Sequence, residues 1–190
     1  MNSSPSLGKI MVGNLAMMAC CVFYLIWWYF AFNPNKDYAF ALKAVLLVLT
    51  IIPGVFGLVQ LCMGVKGLRT GAEGIKSSTI ILAGIGVYIV MLLATYFIAH
   101  RQVTTELALI IGWTVLELCV TNAVYNAGIM DRLNALTLVF ILAAVSIVAL
   151  VCYLAYYDLG KMAAFYDGMV PLILCAVVML YQTVILGKNS

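Results

Sequence analysis

The chain has 190 residues, of which 66% are hydrophobic and only 9% are charged. A soluble domain carries about a quarter of its residues as charges, so this composition excludes a water-soluble globule and predicts an all-α, polytopic membrane protein whose first partner is the lipid bilayer. The formal net charge of +3 is too small to imply nucleic acid.

Six apolar stretches are each long enough to cross a bilayer at about 20 residues per helix: 10–32, 39–64, 78–99, 103–127, 133–157 and 169–186. They predict one integral membrane domain over 1–190, because the longest connection, 65–77, leaves no room for an extramembrane domain. The first stretch outruns a signal-peptide core and lacks an A-x-A-like cleavage site, so it is expected to be a retained span. Six spans place the termini on one side, with Lys9, Lys66, Arg69, Lys76, Arg132 and Lys188. The positive-inside rule then predicts both termini in the cytoplasm, with an inner membrane as the expected location.

The first span closes in Tyr24, Trp27, Trp28, Tyr29, Phe30 and Phe32, followed by Asn33-Pro34-Asn35. Aromatic residues collect at headgroup level, which makes this an interfacial belt. The functional alternative is a ligand mouth shaped by Trp27, Trp28 and Tyr29. The second span contains Pro53-Gly54 near its middle, where a kink is expected. Such breaks can line cavities in membranes, which makes Pro53 a candidate wall residue beside the plainer reading of a packing kink. Ala83, Gly84, Gly86 and Ala94 in the third span permit close helix approach and predict a central helix.

The fourth span carries the most informative residue. Glu117 lies in the middle of an apolar run, whereas every other acidic residue lies at or beyond the end of one. A charge at the bilayer centre costs roughly 2.5–3.5 kcal/mol on insertion scales, and intramembrane acids mark function by default. Helical rise from Arg101 and from Asp131 puts the carboxyl within about 3 Å of the midplane. At 100° per residue, Thr114, Glu117, Thr121 and Tyr125 share a stripe of about 80°, with Trp113 beside it. These residues, together with Pro53, form the candidate solute site. Lys43 is too far along the bilayer normal for direct pairing, and a lysine near a helix end snorkels outward. The expected partners of Glu117 are neutral: Tyr88, Ser146 or Gln182. The competing reading is a structural acid bonded between helices.

Other chemistry finds little support. The single histidine, His100, sits beside Arg101 at a span end and is expected to be interfacial. Cys20, Cys21, Cys62, Cys119, Cys152 and Cys175 all fall within spans without a C-x-x-C pair, where cysteine behaves as a small apolar residue. Ser146 lacks a G-x-S-x-G surround, no lysine lies deep enough for retinal, and Gly71-Ala72-Glu73-Gly74 only punctuates a loop. Glu106, Asp158 and Asp167 gather near Lys161 as a charged mouth or as solvated loop charges. No cofactor can be assigned.

Aligning Asn14 with Glu106 superposes Leu15-Ala16 on Leu107-Ala108 and, after a gap, Asp37 on Asp131. With three spans on each side, this suggests a 3+3 inverted repeat of the kind transporters use around a midplane site. Three functions remain in order of expectation. The first is a small-solute transporter or channel with a site near Glu117. The second is a membrane-embedded, substrate-binding or anchoring subunit of a larger complex, or a homo-oligomer. The third is an intramembrane enzyme, for which no catalytic residues are found.

Overall fold

The computed structural model describes residues 5–68, 77–98 and 104–188. His100, Arg101, Arg69, Lys76, the Gly71–Gly74 loop and the side chain of Glu106 lie outside what it describes. The described residues are helical with no strand: α1 (Pro5–Phe32), α2 (Phe40–Gly67), α3 (Ser77–Phe97), α4 (Thr105–Asn126), α5 (Arg132–Tyr156), α6 (Lys161–Asp167) and α7 (Val170–Lys188). Six spans long and apolar enough to cross a membrane result, the last of them formed by α6 and α7 together.

The boundaries follow local chemistry. Pro5 occupies the first helical position of α1, where its missing N–H is no loss, so this helix begins before the apolar run at Ile10. Pro34 prevents its continuation past Phe32. The Thr104 hydroxyl caps α4 by accepting the Leu107 N–H at 3.4 Å. At its other end Gly128 takes φ +71°, and its N–H meets the Tyr125 carbonyl while the Ile129 N–H meets that of Val124. This is a Schellman turn, which needs a residue that tolerates the left-handed region. Helix α2 runs unbroken through Pro53.

One departure concerns the segment before the last span, expected to be a loop. It forms α6, held against α1 by the Trp28 indole N–H donating to the Phe165 carbonyl at 3.0 Å. The Trp28 ring also fills the space beside Gly168, where any side chain would collide with it. An apolar period of one and a half turns is too short to distinguish from a loop in sequence, and a tertiary contact decides it.

Packing is uneven along the bundle. At the end bearing the termini, Leu7 and Ile10 of α1, Leu61 and Val65 of α2, Ile80 of α3, Val120 and Val124 of α4, Leu138 of α5 and Leu186 of α7 join one buried cluster. All six spans meet there. Toward the other end the bundle divides. Leu107, Ile111 and Val115 pack with Tyr88 and Leu150, and Leu142 and Val145 pack with Val178, while α1 and α2 stay together on the far side. Helices α1 and α2 touch nearly backbone to backbone: a methyl on Gly57 would lie 3.0 Å from the Gly13 carbonyl oxygen, and one on Gly64 would lie 3.0 Å from that of Ser6.

The expectation that the third span is central does not hold. Helix α3 stands at the edge, docked on α4 through Gly84 beneath Cys119 and barely touching α2. Gly86 faces open space. The most enclosed span is α4, whose Thr114 and Thr121 bond to α5 and α7.

Candidate functional site

Glu117 is completely buried on the face of α4 turned toward α1 and α7. Neither carboxyl oxygen has a hydrogen-bond partner among the described residues. The Gln182 amide of α7 stands beside it without reaching bonding geometry, and the thiols of Cys21 and Cys175 are within electrostatic reach. Lys43 is occupied elsewhere, its ammonium 2.8 Å from Asp37.

Beside this acid runs a chain of side-chain hydrogen bonds across three spans. Asn14 Nδ2 donates to Gln182 Oε1 at 3.0 Å, and Gln182 Nε2 donates to Thr121 Oγ1 at 3.3 Å. All three residues are buried. Of the three partners expected for Glu117, only Gln182 is adjacent. Ser146 instead meets Thr114 at 2.8 Å, joining α4 to α5, and the Tyr88 ring packs over Gly112.

The polar stripe of α4 therefore does not face a common path. Thr114 turns to α5, Glu117 and Thr121 turn to α1 and α7, and Tyr125 is exposed. An 80° stripe is wide enough to be divided among three neighbours, and their arrangement is not encoded in α4 alone.

The division of the bundle leaves a cavity of about 1160 Å³ walled mainly by α1 and α2 on one side and by α3, α4 and α5 on the other, with residues of α6 and α7 completing it. Ligand pockets usually hold about 300–1,000 Å³. Its wall runs on α2 from Leu47 to Val65, about 27 Å by helical rise, nearly the thickness of a hydrocarbon core. Ile51, Val55 and Leu58 of α2 and Ile85 of α3 line it while remaining well exposed, so it opens sideways where α2 and α3 diverge. The lining is overwhelmingly apolar and contains all three tryptophans and all six cysteines of the chain.

Several predicted site residues are distributed differently from expectation. Trp113 lines the cavity, whereas Glu117, Thr114, Thr121 and Tyr125 do not. Pro53 does not line it either; its neighbour Gly54 does, with Cys20 Sγ 3.0 Å from where a side chain would begin. Of the aromatic mouth, Trp27 and Trp28 form wall, with Trp28 also buried against α6, and Tyr29 points away, exposed. Cysteines behave as small apolar residues, all of them free. Among the described residues no group of His, Cys, Asp and Glu comes together as metal ligands.

One important residue was missed in the sequence and another was left between two readings. Asn14 was visible as an amide inside an apolar run, a signal like that of Glu117. Asp167, expected either at a charged mouth or as a solvated loop charge, lines the cavity and keeps one shielded carboxyl oxygen without a partner among the described residues. Only the fold of α6 brings it there.

The architecture defines a multi-pass, all-helical membrane protein with a hollow apolar interior. No protein-family model, curated protein or solved structure matches the chain.

Proposed function

We propose that this protein is a transporter of small lipophilic molecules, which enter its cavity from the bilayer through the opening between α2 and α3. The carrying observation is the cavity itself, apolar along almost the full membrane thickness and open where lipid would stand. A water-soluble solute would gain little from such a wall, whereas an apolar chain exchanges lipid contacts for protein contacts at little desolvation cost. Two buried polar atoms of wall residues, Asp167 Oδ2 and Trp113 Nε1, lack partners among the described residues. Unpaired buried groups of this kind often belong to a binding site. In this reading Glu117 stands outside the solute's path, since it is not part of the cavity wall. An inverted relation between the first and last three spans would let the cavity face each side in turn, with both termini in the cytoplasm by the positive-inside rule.

Proteoliposomes of the purified chain test this. They should speed the crossing of a fluorescent alkyl amphiphile over that in empty liposomes. Ala108→Trp, which fills the cavity wall, should abolish the gain, and Leu82→Trp, on the exposed face of α3, should not. Rates equal to empty liposomes, or equal effects of both substitutions, would overturn the proposal.

The length of the lateral opening also suits a second reading, in which a spanning helix of a partner subunit fills it. Stoichiometric co-purification of a second membrane protein, with no amphiphile movement by the isolated chain, would favour that reading.

A further inference from the structure

We infer that the molecule held in this cavity is an amphipathic organic cation, its apolar chain lying along α2 and its head against Asp167. The inference rests on the cavity being a binding site for lipophilic molecules and adds the chemistry of the head. Among the described residues Asp167 is the only Asp, Glu, Lys, Arg or His in the wall, so the cavity carries a single fixed acidic group at one end. The Cys152 thiol stands beside this carboxyl, yet Oδ2 is shielded and has no hydrogen-bond partner among the described residues.

The surroundings of that carboxyl suit a cation more than a neutral polar group. Gly168, the next residue, abuts the Trp28 ring. Trp28 in turn stands 6.0 Å from Tyr156 and 4.4 Å from Phe32, centroid to centroid, and Tyr24 stands 5.0 Å from Trp27. All of these rings line the cavity. Aromatic faces attract cations through their quadrupoles, most strongly where water is excluded, and clustered rings are the usual recognition surface for quaternary ammonium groups. A carboxylate adds the opposite charge.

Depth agrees with this assignment. Trp28 lies four residues before the end of α1, about 6 Å by helical rise, so the aromatic and acidic end of the cavity sits near headgroup level. The remaining wall, toward Val65 and Val120, is apolar. An amphiphile entering from the bilayer would keep its head near the interface and its chain in an apolar medium, so that binding itself carries no charge into the bilayer centre.

The experiment uses the full chain in lipid nanodiscs loaded with a neutral fluorescent hexadecyl amphiphile. Hexadecyltrimethylammonium, hexadecanol and hexadecyl sulfate are compared as competitors at matched membrane mole fraction, with quenching of the three cavity tryptophans as a second readout. The ammonium should displace the fluorophore at about tenfold lower mole fraction than the alcohol or the sulfate, the scale expected for a desolvated cation on aromatic rings. Asp167→Asn should bring it within about twofold of the alcohol, and Asp167→Glu should retain most of the preference. Equal displacement by all three competitors, or preference for the sulfate, would overturn the cationic assignment while leaving the lipophilic cavity intact. Failure of the neutral fluorophore to bind at all would overturn the cavity's proposed role and this inference with it. Should the asparagine variant not fold, the ranking of competitors on the native chain and on Asp167→Glu decides the question.

Discussion

Asn14 and Gln182, at opposite ends of the sequence, are joined by a buried hydrogen bond of 3.0 Å from one side-chain amide to the other. The same Gln182 donates onward to Thr121, so one glutamine ties the first, fourth and last spans together. In hydrocarbon no water can replace a missing partner, which makes this network a positional constraint on the bundle as well as a source of stability.

Removing one member should expose that dependence. Interhelical hydrogen bonds in membrane proteins contribute about 0.6 kcal/mol on average and about 1.7 at most. Gln182→Leu leaves Asn14 Nδ2 without its acceptor and should destabilise by about 1–3 kcal/mol, since an orphaned buried group adds its own penalty. Asn14→Leu should cost less, because Gln182 keeps its bond to Thr121. The double variant should be less destabilised than the two single losses added together. Reversible unfolding in mixed micelles measures all three, and strict additivity would contradict the network.

Glu117 is expected to respond in the opposite way. Its oxygens have no partner among the described residues, and replacing an unpaired buried polar group by an apolar one of similar size is neutral or stabilising. Glu117→Leu should therefore fold with stability unchanged or raised by about 1 kcal/mol. Glu117→Gln should leave amphiphile binding within about twofold, because this side chain is not part of the cavity wall. Loss of transport in a well-folded Glu117→Gln protein would instead make the acid a coupling group.

The α1–α2 contact depends on glycines that bring backbones together. Gly57→Ala and Gly64→Ala each place a methyl 3.0 Å from a backbone oxygen of α1, tighter than ordinary van der Waals contact. Each should destabilise by about 1–3 kcal/mol through forced separation of the helices. Gly86→Ala meets nothing within 4 Å and should be neutral or stabilising by up to about 1 kcal/mol through helix propensity alone. Thermal unfolding of the three variants under one detergent condition separates these outcomes.

Outside the spans, Asp37 should titrate below its ordinary value of 3.8, because the Lys43 ammonium donates to its carboxylate and adds an attractive charge. A depressed folded value means that the pair contributes above the unfolded value and is lost as pH falls through the folded one. Carbon-detected NMR of the carboxyl should show its midpoint below 3.8 in the native chain and an upward return in Lys43→Gln. An unchanged midpoint would remove Lys43 as the cause.

Much of the fold was legible in sequence because a bilayer imposes a simple test on each segment. Runs such as 133–157 are apolar for longer than any soluble strand or loop, and their backbone groups can be satisfied only by helix formation. Asn33-Pro34 and Gly128 mark stops through local chemistry alone. Glu117 was recognisable as unusual for the same reason: its cost depends only on depth, and depth follows from helical rise.

What surrounds each residue was not legible in this way. The stripe Thr114, Glu117, Thr121 and Tyr125 is correctly a single face of α4 by geometry, yet three neighbours divide it. Glycines in α3 resembled those of a central helix, although those that bring two backbones together lie between α1 and α2. Asp167 could be read as a mouth residue or as a solvated loop charge, and the fold of α6 against Trp28 is what places it at the cavity.

The sequence by itself determined that this is a helical, multi-pass membrane protein, where its spans run and which residues are costly to bury, because those properties depend on one segment and its solvent. Tertiary structure alone decided that Gln182 holds α1 to α4, that Glu117 stands outside the cavity and that Asp167 lines it. Those outcomes depend on which faces of separate helices meet, and apolar helices in lipid have no strong hydrophobic preference for one neighbour over another.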